Sequence, residues 1–283
     1  MTSRRSSPAI SLLVLPGFVF LVFSSALCAQ QAKTPTLDEI LKRLDANLNY
    51  YDSRLPSLFC DEHLVSKVLP GPSNGDTVTD SVFRLKRTAS ADHTTVLVES
   101  RDIKSVNGKA AESQDMKGPT LLNGAFEGGL DVVSLDQKSC MKYELERINV
   151  DRPTQPYVIR FSTVLTRDNS AECLLQEKSK GRVLIDPASM QILHLELTTP
   201  HHVIIPANAY LPPVVGERVI AVDFAPVALG GETFWLPSSI NSRDTGDANT
   251  FHRTTWTFRA SYRNYHRLEV TSRILPGSEA PAK

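Results

Sequence analysis

The chain has 283 residues, 31 basic and 31 acidic side chains, and a hydrophobic share of 41%. That balance excludes the basic surface nucleic acid demands, since such binding rests on neutralised phosphates. The apolar share suffices for a core, and beyond the N-terminus no run is long enough to cross a bilayer as a helix.

Residues 1–29 read as an export signal: Arg4 and Arg5, then the apolar run Ile10 to Leu27, then Ala29 before a polar QQAKTPT stretch. Pro16, Gly17, Ser24 and Ser25 interrupt the run, which favours cleavage over a retained anchor. Leu27 stands where a lipid-anchored precursor needs a small residue before Cys28. The expected address is the periplasm or the outer membrane, with a slight acidic excess left in residues 30–283. Cys60, Cys140 and Cys173 remain, and in an oxidising compartment two of them are expected to pair. Cys140 and Cys173 close the shorter loop; Cys60 with Cys173 is the competing choice. No cysteine has a zinc-site spacing.

Residues 36–51 form the one convincing helix. Leu37, Ile40, Leu41, Leu44, Leu48 and Tyr51 recur three and four apart, and Thr36 with Glu39 makes a capping box. From Leu58 onward the pattern is short alternating runs separated by turns: 58–68, 81–87 and 94–106, the last ending at Asn107-Gly108, a hairpin signal. Residues 109–137 are expected to hold a short helix or a lid-like loop near Leu121–Phe126. Runs at 140–148, 156–166, 181–187, 191–199, 217–227, 232–240 and 254–274 follow, with a Pro-rich connection at 206–214 and a frayed tail at 276–283. The expected fold is mainly β (α+β): a curved antiparallel sheet forming an unclosed half-barrel, an N-terminal amphipathic helix packed on it, and one domain over residues 30–275.

Catalytic patterns are missing. There is no Gly-x-Ser-x-Gly turn, no His-Glu-x-x-His and no phosphate-binding Gly-x-x-x-x-Gly-Lys. Asp61, Glu62 and His63 read as a wet strand face. His201 and His202 fall in an expected loop with side chains pointing apart, an awkward arrangement for a shared metal. Asp186 sits in a hairpin corner, where such a carboxylate bonds local backbone N–H groups. Trp235 and Trp256 suit a core or a pocket wall. No metal, cofactor or catalytic residue is assigned.

The order of motifs RLPSLFCDE (54–62), ESRDIKSVNGK (99–109), GRVLIDPASMQILHLEL (181–197), VDFAPVALGGETFWLPSSI (222–240) and YRNYHRLEV (262–270) resembles a group of uncharacterised secreted bacterial proteins. These are related in architecture to the outer-membrane lipoprotein carriers and lipid-binding half-barrels (LolA-like, LppX-like). The resemblance covers about residues 36–272. It implies a sheet of about eleven strands with a helix against its concave face, and an apolar space between them that holds an acyl chain. Inward positions are Phe83 and Leu85, Tyr143 and Leu145, Ile159 and Phe161, Leu195 and Leu197, and Val222 and Phe224, with Trp235 nearby. These are the candidate ligand-lining residues, and ordinary core packing is the competing reading for each.

The expected function is a non-enzymatic envelope protein that binds or carries a lipid, a lipoprotein acyl chain or another apolar ligand. The alternative is a scaffold or regulator with a filled core and an envelope protein partner. A hydrolase assembled from distant strands is a minor third. Nucleic acid is not an expected partner.

Overall fold

The computed structural model describes residues 34–69, 76–89, 95–112, 131–148, 152, 154–204, 214–246 and 254–268. The expected signal, the feature near Leu121–Phe126, most of the Pro-rich connection and the C-terminal tail lie outside these residues.

Helix α1 runs Leu37–Arg54, three residues beyond the expected end. Its capping box is present: Thr36 Oγ1 accepts from Glu39 N, and Glu39 reaches back to the Thr36 N–H at 2.7 Å. The helix stops because Pro56 follows Leu55, and a residue before proline is pushed out of the helical region; Leu55 has φ −58° and ψ 118°. Ile40, Leu41, Leu44, Leu48 and Tyr51 are buried, so the apolar stripe is the packed face.

Eleven strands follow: β1 Leu58–Leu69, β2 Thr77–Ala89, β3 Thr95–Val106, β4 Lys109–Ala110, β5 Met141–Leu145, β6 Tyr157–Thr163, β7 Lys180–Ile185, β8 Ile192–Ile204, β9 Val214–Leu229, β10 Glu232–Gly246 and β11 Thr254–Arg267. They form one antiparallel sheet in the order β4-β3-β2-β1-β11-β10-β9-β8-β7-β6-β5. The chain meanders, except that β11 returns to lie beside β1. Because β4 and β5 end the order and, among the described residues, do not pair with each other, the sheet is an unclosed half-barrel with α1 on one face, as expected. Positive φ at Asn107 (50°) and Gly108 (74°) makes the β3–β4 turn, and Gly230 (62°) and Gly231 (89°) make the β9–β10 turn.

One expectation needs revision. His201 and His202 lie on β8, which runs on past an irregularity between Thr199 and His202, rather than in a loop. Within 109–137 the described residues include the two-residue β4 and a 3-10 turn, Leu135–Gln137.

Register shows how alternation builds the core. Reading across strands, Leu145, Ile159, Val183, Leu195, Val222, Ile240, Ala260 and Leu64 are successive partners on the helix-side face. All but Leu145 are buried. In the next row Phe161 faces Gly181, where a Cβ would come within 2.4 Å of the ring and 2.0 Å of Glu196 O. Only glycine admits that ring.

Cys140 and Cys173 form a disulfide across 33 residues, and Cys60 is free and buried. This settles the pairing for the shorter loop. Loop-closure entropy for that separation is worth about 3 to 4 kcal/mol. A Cys140→Ser/Cys173→Ser variant is expected to lose about that much in urea unfolding under oxidising conditions, and wild type to lose a similar amount when reduced. Equal midpoints for the two oxidised proteins would remove the bridge from the account.

Candidate functional site

The residues expected to line a ligand site all lie in or against the apolar core. Phe83, Leu85, Ile159, Phe161, Leu195, Leu197, Val222 and Phe224 are at most 9% exposed, while Tyr143, Leu145 and Trp235 are half-buried against the same cluster. The α1 stripe occupies the concavity they form. Between helix and sheet, Leu44, Leu48, Tyr51, Met190, Ile192 and Trp235 enclose about 20 Å³, room for a water and not for a chain. Polar ties hold the helix down at three places. Asn47 Nδ2 donates to Met190 O at 2.6 Å, Asp45 Oδ1 accepts from Leu135 N at 3.0 Å, and Arg54 and Tyr50 both donate to Glu232.

A buried polar cluster shares this face. Glu62, on the strand stretch expected to be wet, is 2% exposed. It alternates with Asp61 and His63, so strand period places it with Cys60 and Leu64 on the inner side. Glu62 Oε2 accepts from Ser81 Oγ at 2.6 Å and from Arg101 Nε at 2.8 Å, and Oε1 accepts from Tyr262 OH at 3.0 Å. The Arg101 guanidinium carbon lies 4.9 Å over the Phe83 ring. Burial, then the Glu62 charge, drives the Tyr262 phenol well above its ordinary range. Sequence reasoning missed this site because Arg101 and Glu62 are 39 residues apart, with Ser81 between them on β2. Its one local signal was a charge at an inward position of an otherwise apolar strand face.

The outer face is polar. His63 Nδ1 lies 2.7 Å from Asp80 Oδ1, and Ser261 partners His63 on its other side, which gives an Asp–His–Ser order in one row. His63 first and Ser105 second hold the Asp80 carboxyl below its usual range. Both His63 and Asp80 are about half exposed (53% and 49%). The β1, β2 and β11 backbone donors around them are committed to the sheet ladder, so the main chain offers no oxyanion pocket there among the described residues. His194 with Asp223 and His202 with Glu177 are similar pairs, each at 2.6 Å. Asp186 Oδ2 accepts from Ser189 N and Ser189 Oγ at 2.7 Å, the hairpin-corner role its position suggested. Among the described residues, no group of three His, Cys, Asp or Glu side chains is placed to hold a metal ion.

Several solved structures are similar to this chain, among them the following two. One is a LolA superfamily protein from Nitrosomonas europaea, with 9% identity and a TM-score of 0.34. The other is a DUF1329 family protein from Desulfovibrio piger, with 8% identity and a TM-score of 0.39. Each match covers 84% of this chain and 96% of the other. No protein-family model and no curated protein matches.

Breaking a buried ion pair costs about 3 to 5 kcal/mol, because the surviving charge loses its partner. Arg101→Met is therefore expected to lose that much in urea unfolding, and Glu62→Gln/Arg101→Met distinctly less than the single variant. An equal or larger loss in the double variant would refute the pairing argument.

Beside α1, burial first, and then the Asp52 and Asp136 charges, push the Asp131 carboxyl up to about 6. The fold thus favours its neutral form, and that contribution is full below the ordinary carboxylate range and lost as pH rises through about 6. Asp131→Asn should melt above wild type by a margin that grows between about pH 4 and 6 and levels above about pH 7. A margin independent of pH would contradict this.

Proposed function

We propose that the protein is a non-enzymatic envelope protein, exported by a cleaved signal, whose single half-barrel domain binds a lipid or another apolar ligand on its concave face. The observation that carries this reading is the cover on that face. A continuous apolar surface spanning most strands of an unclosed sheet is closed over by one amphipathic helix, tied down by a few polar bonds at its C-terminal half and flank. In the state described, α1 fills the place an acyl chain would take, so ligand entry requires the helix to lift. About 15 methylenes buried at about 0.8 kcal/mol each give on the order of 10 kcal/mol before entropy costs, which is comparable with burying four or five large helix side chains. Ligand and helix stripe are therefore of matched worth, as an exchange requires.

The second reading, a scaffold or regulator with a permanently filled core, is favoured by the space of about 20 Å³ under the helix. The two differ in what a trimmed helix does. Leu44→Ala removes a side chain 1% exposed and should cost about 2 to 5 kcal/mol under either reading. Under the exchange reading it also favours the displaced state, so native mass spectrometry after incubation with mixed phospholipids should show a lipid adduct in higher yield than wild type. If wild type and Leu44→Ala both remain bare polypeptide, the core is permanently filled and the scaffold reading stands.

A further inference from the structure

The outer face, opposite α1, carries a trough of about 540 Å³ over β1, β11, β10 and β9. Its lining positions alternate with core residues: Val65 and Lys67 with Leu64, Val219 and Ala221 with Val222, Asn241 and Arg243 with Ile240, Thr257 and Arg259 with Ala260. Register fixes its charge pattern. Arg259 partners both Val65 and Asn241, while Thr257 partners both Lys67 and Arg243. Lys67 and Arg243 thus sit diagonally on either side of Arg259, at roughly 7–8 Å, and about two strand spacings (roughly 10 Å) from each other. Three long cationic side chains converge over an apolar and hydroxyl floor.

Elsewhere on this face several cations are closely matched. Arg182 makes two bonds to Glu196 at 2.7 and 2.9 Å, Arg160 reaches Glu146 at 2.6 Å and Lys142 reaches Glu144 at 2.6 Å. In the trough they are not. Arg259 Nε donates to the neutral Asn241 Oδ1 at 3.0 Å, and among the described residues it meets no carboxylate. Arg243 stands 3.8 Å from Glu217, and Lys67 stands 3.3 Å from Asp76, a carboxylate that also lines the trough. All four of those paired side chains are 43% to 57% exposed, so each pair is weak and readily exchanged for a better anion.

We propose that this trough is a second ligand site that takes an anionic amphiphile: Lys67, Arg243 and Arg259 hold its phosphate or carboxylate head, and Val65, Val219 and Ala221 receive its apolar part. Guanidinium groups suit such a head because their planar donors match its oxygens two at a time. The apolar floor distinguishes an amphiphile from a free inorganic anion. The site does not depend on the concave-face reading, since it lies on the other side of the sheet and needs no movement of α1.

The test is isothermal titration of the full chain with octyl phosphate below its micelle concentration, with inorganic phosphate and 1-octanol as the head-only and tail-only probes. Octyl phosphate should bind one to one and weaken as salt rises. Each partial probe should bind at least tenfold more weakly. Lys67→Gln/Arg243→Gln/Arg259→Gln should lose at least tenfold in octyl phosphate affinity, with Arg182→Gln on the same face unaffected. The single exposed Arg259→Gln, expected to lose severalfold, serves if the triple variant melts early. Inorganic phosphate binding as tightly as octyl phosphate would overturn the apolar half, and 1-octanol doing so would overturn the head. An unchanged affinity in the variants would overturn the location. A lipid adduct that persists in the triple variant reports on the concave face alone, so the two proposals fail separately.

Discussion

Everything in this molecule depends on the need of one long sheet to cover a single apolar face. The strands alternate strictly enough that Leu145 and Leu64, at the two ends of a row of eight strands, belong to the same surface. No second sheet packs on that surface among the described residues, and the cover is α1. The helix is not an appendage: its Ile40 and Leu44, and Leu55 at its C-cap, rank with Phe83 and Leu195 among the largest fully buried side chains. Remove it and a contiguous apolar surface far larger than a soluble protein normally exposes would face water.

The same alternation makes the outer side a polar lattice. Each residue turned outward meets its register partners on both neighbouring strands, so charges meet in rows rather than at random. Several rows are neutralised within themselves by arginine–carboxylate or histidine–carboxylate pairs. Such exposed pairs contribute little stability individually. Their effect is on association, because a wide sheet face bearing fixed opposite charges offers a second copy no continuous greasy surface on which to stack.

Much of this was legible in the sequence, because it depends on local pattern. The helix stripe, its capping box, the Asn107-Gly108 turn and the inward pairs on β2, β5, β6, β8 and β9 follow from spacings of three, four and two. The longer reach of β8, β9 and β10 was not legible, since their outer ends gain only from partner strands and carry weaker alternation. Glu62 was read by composition rather than by parity: its neighbours made it look wet, and only pairing with Ser81, Arg101 and Tyr262 explains a charge in the core. The trough was invisible for the same reason. Lys67, Arg243 and Arg259 become neighbours through the β1–β11–β10 register, and no local window contains all three.

Cys60 shows what the order of β1, β2 and β11 secures. Burial first, and the Glu62 charge next, push its thiol up to about 12. Only the thiolate attacks a disulfide, so near neutral pH about one molecule in 10⁵ carries the reactive form, against a few per cent for a free cysteine. The odd thiol therefore threatens the Cys140–Cys173 bridge only while the chain is unfolded. Once β1 is paired on both sides, scrambling by this route is closed, and the covalent pattern becomes a record of the order in which the chain folded.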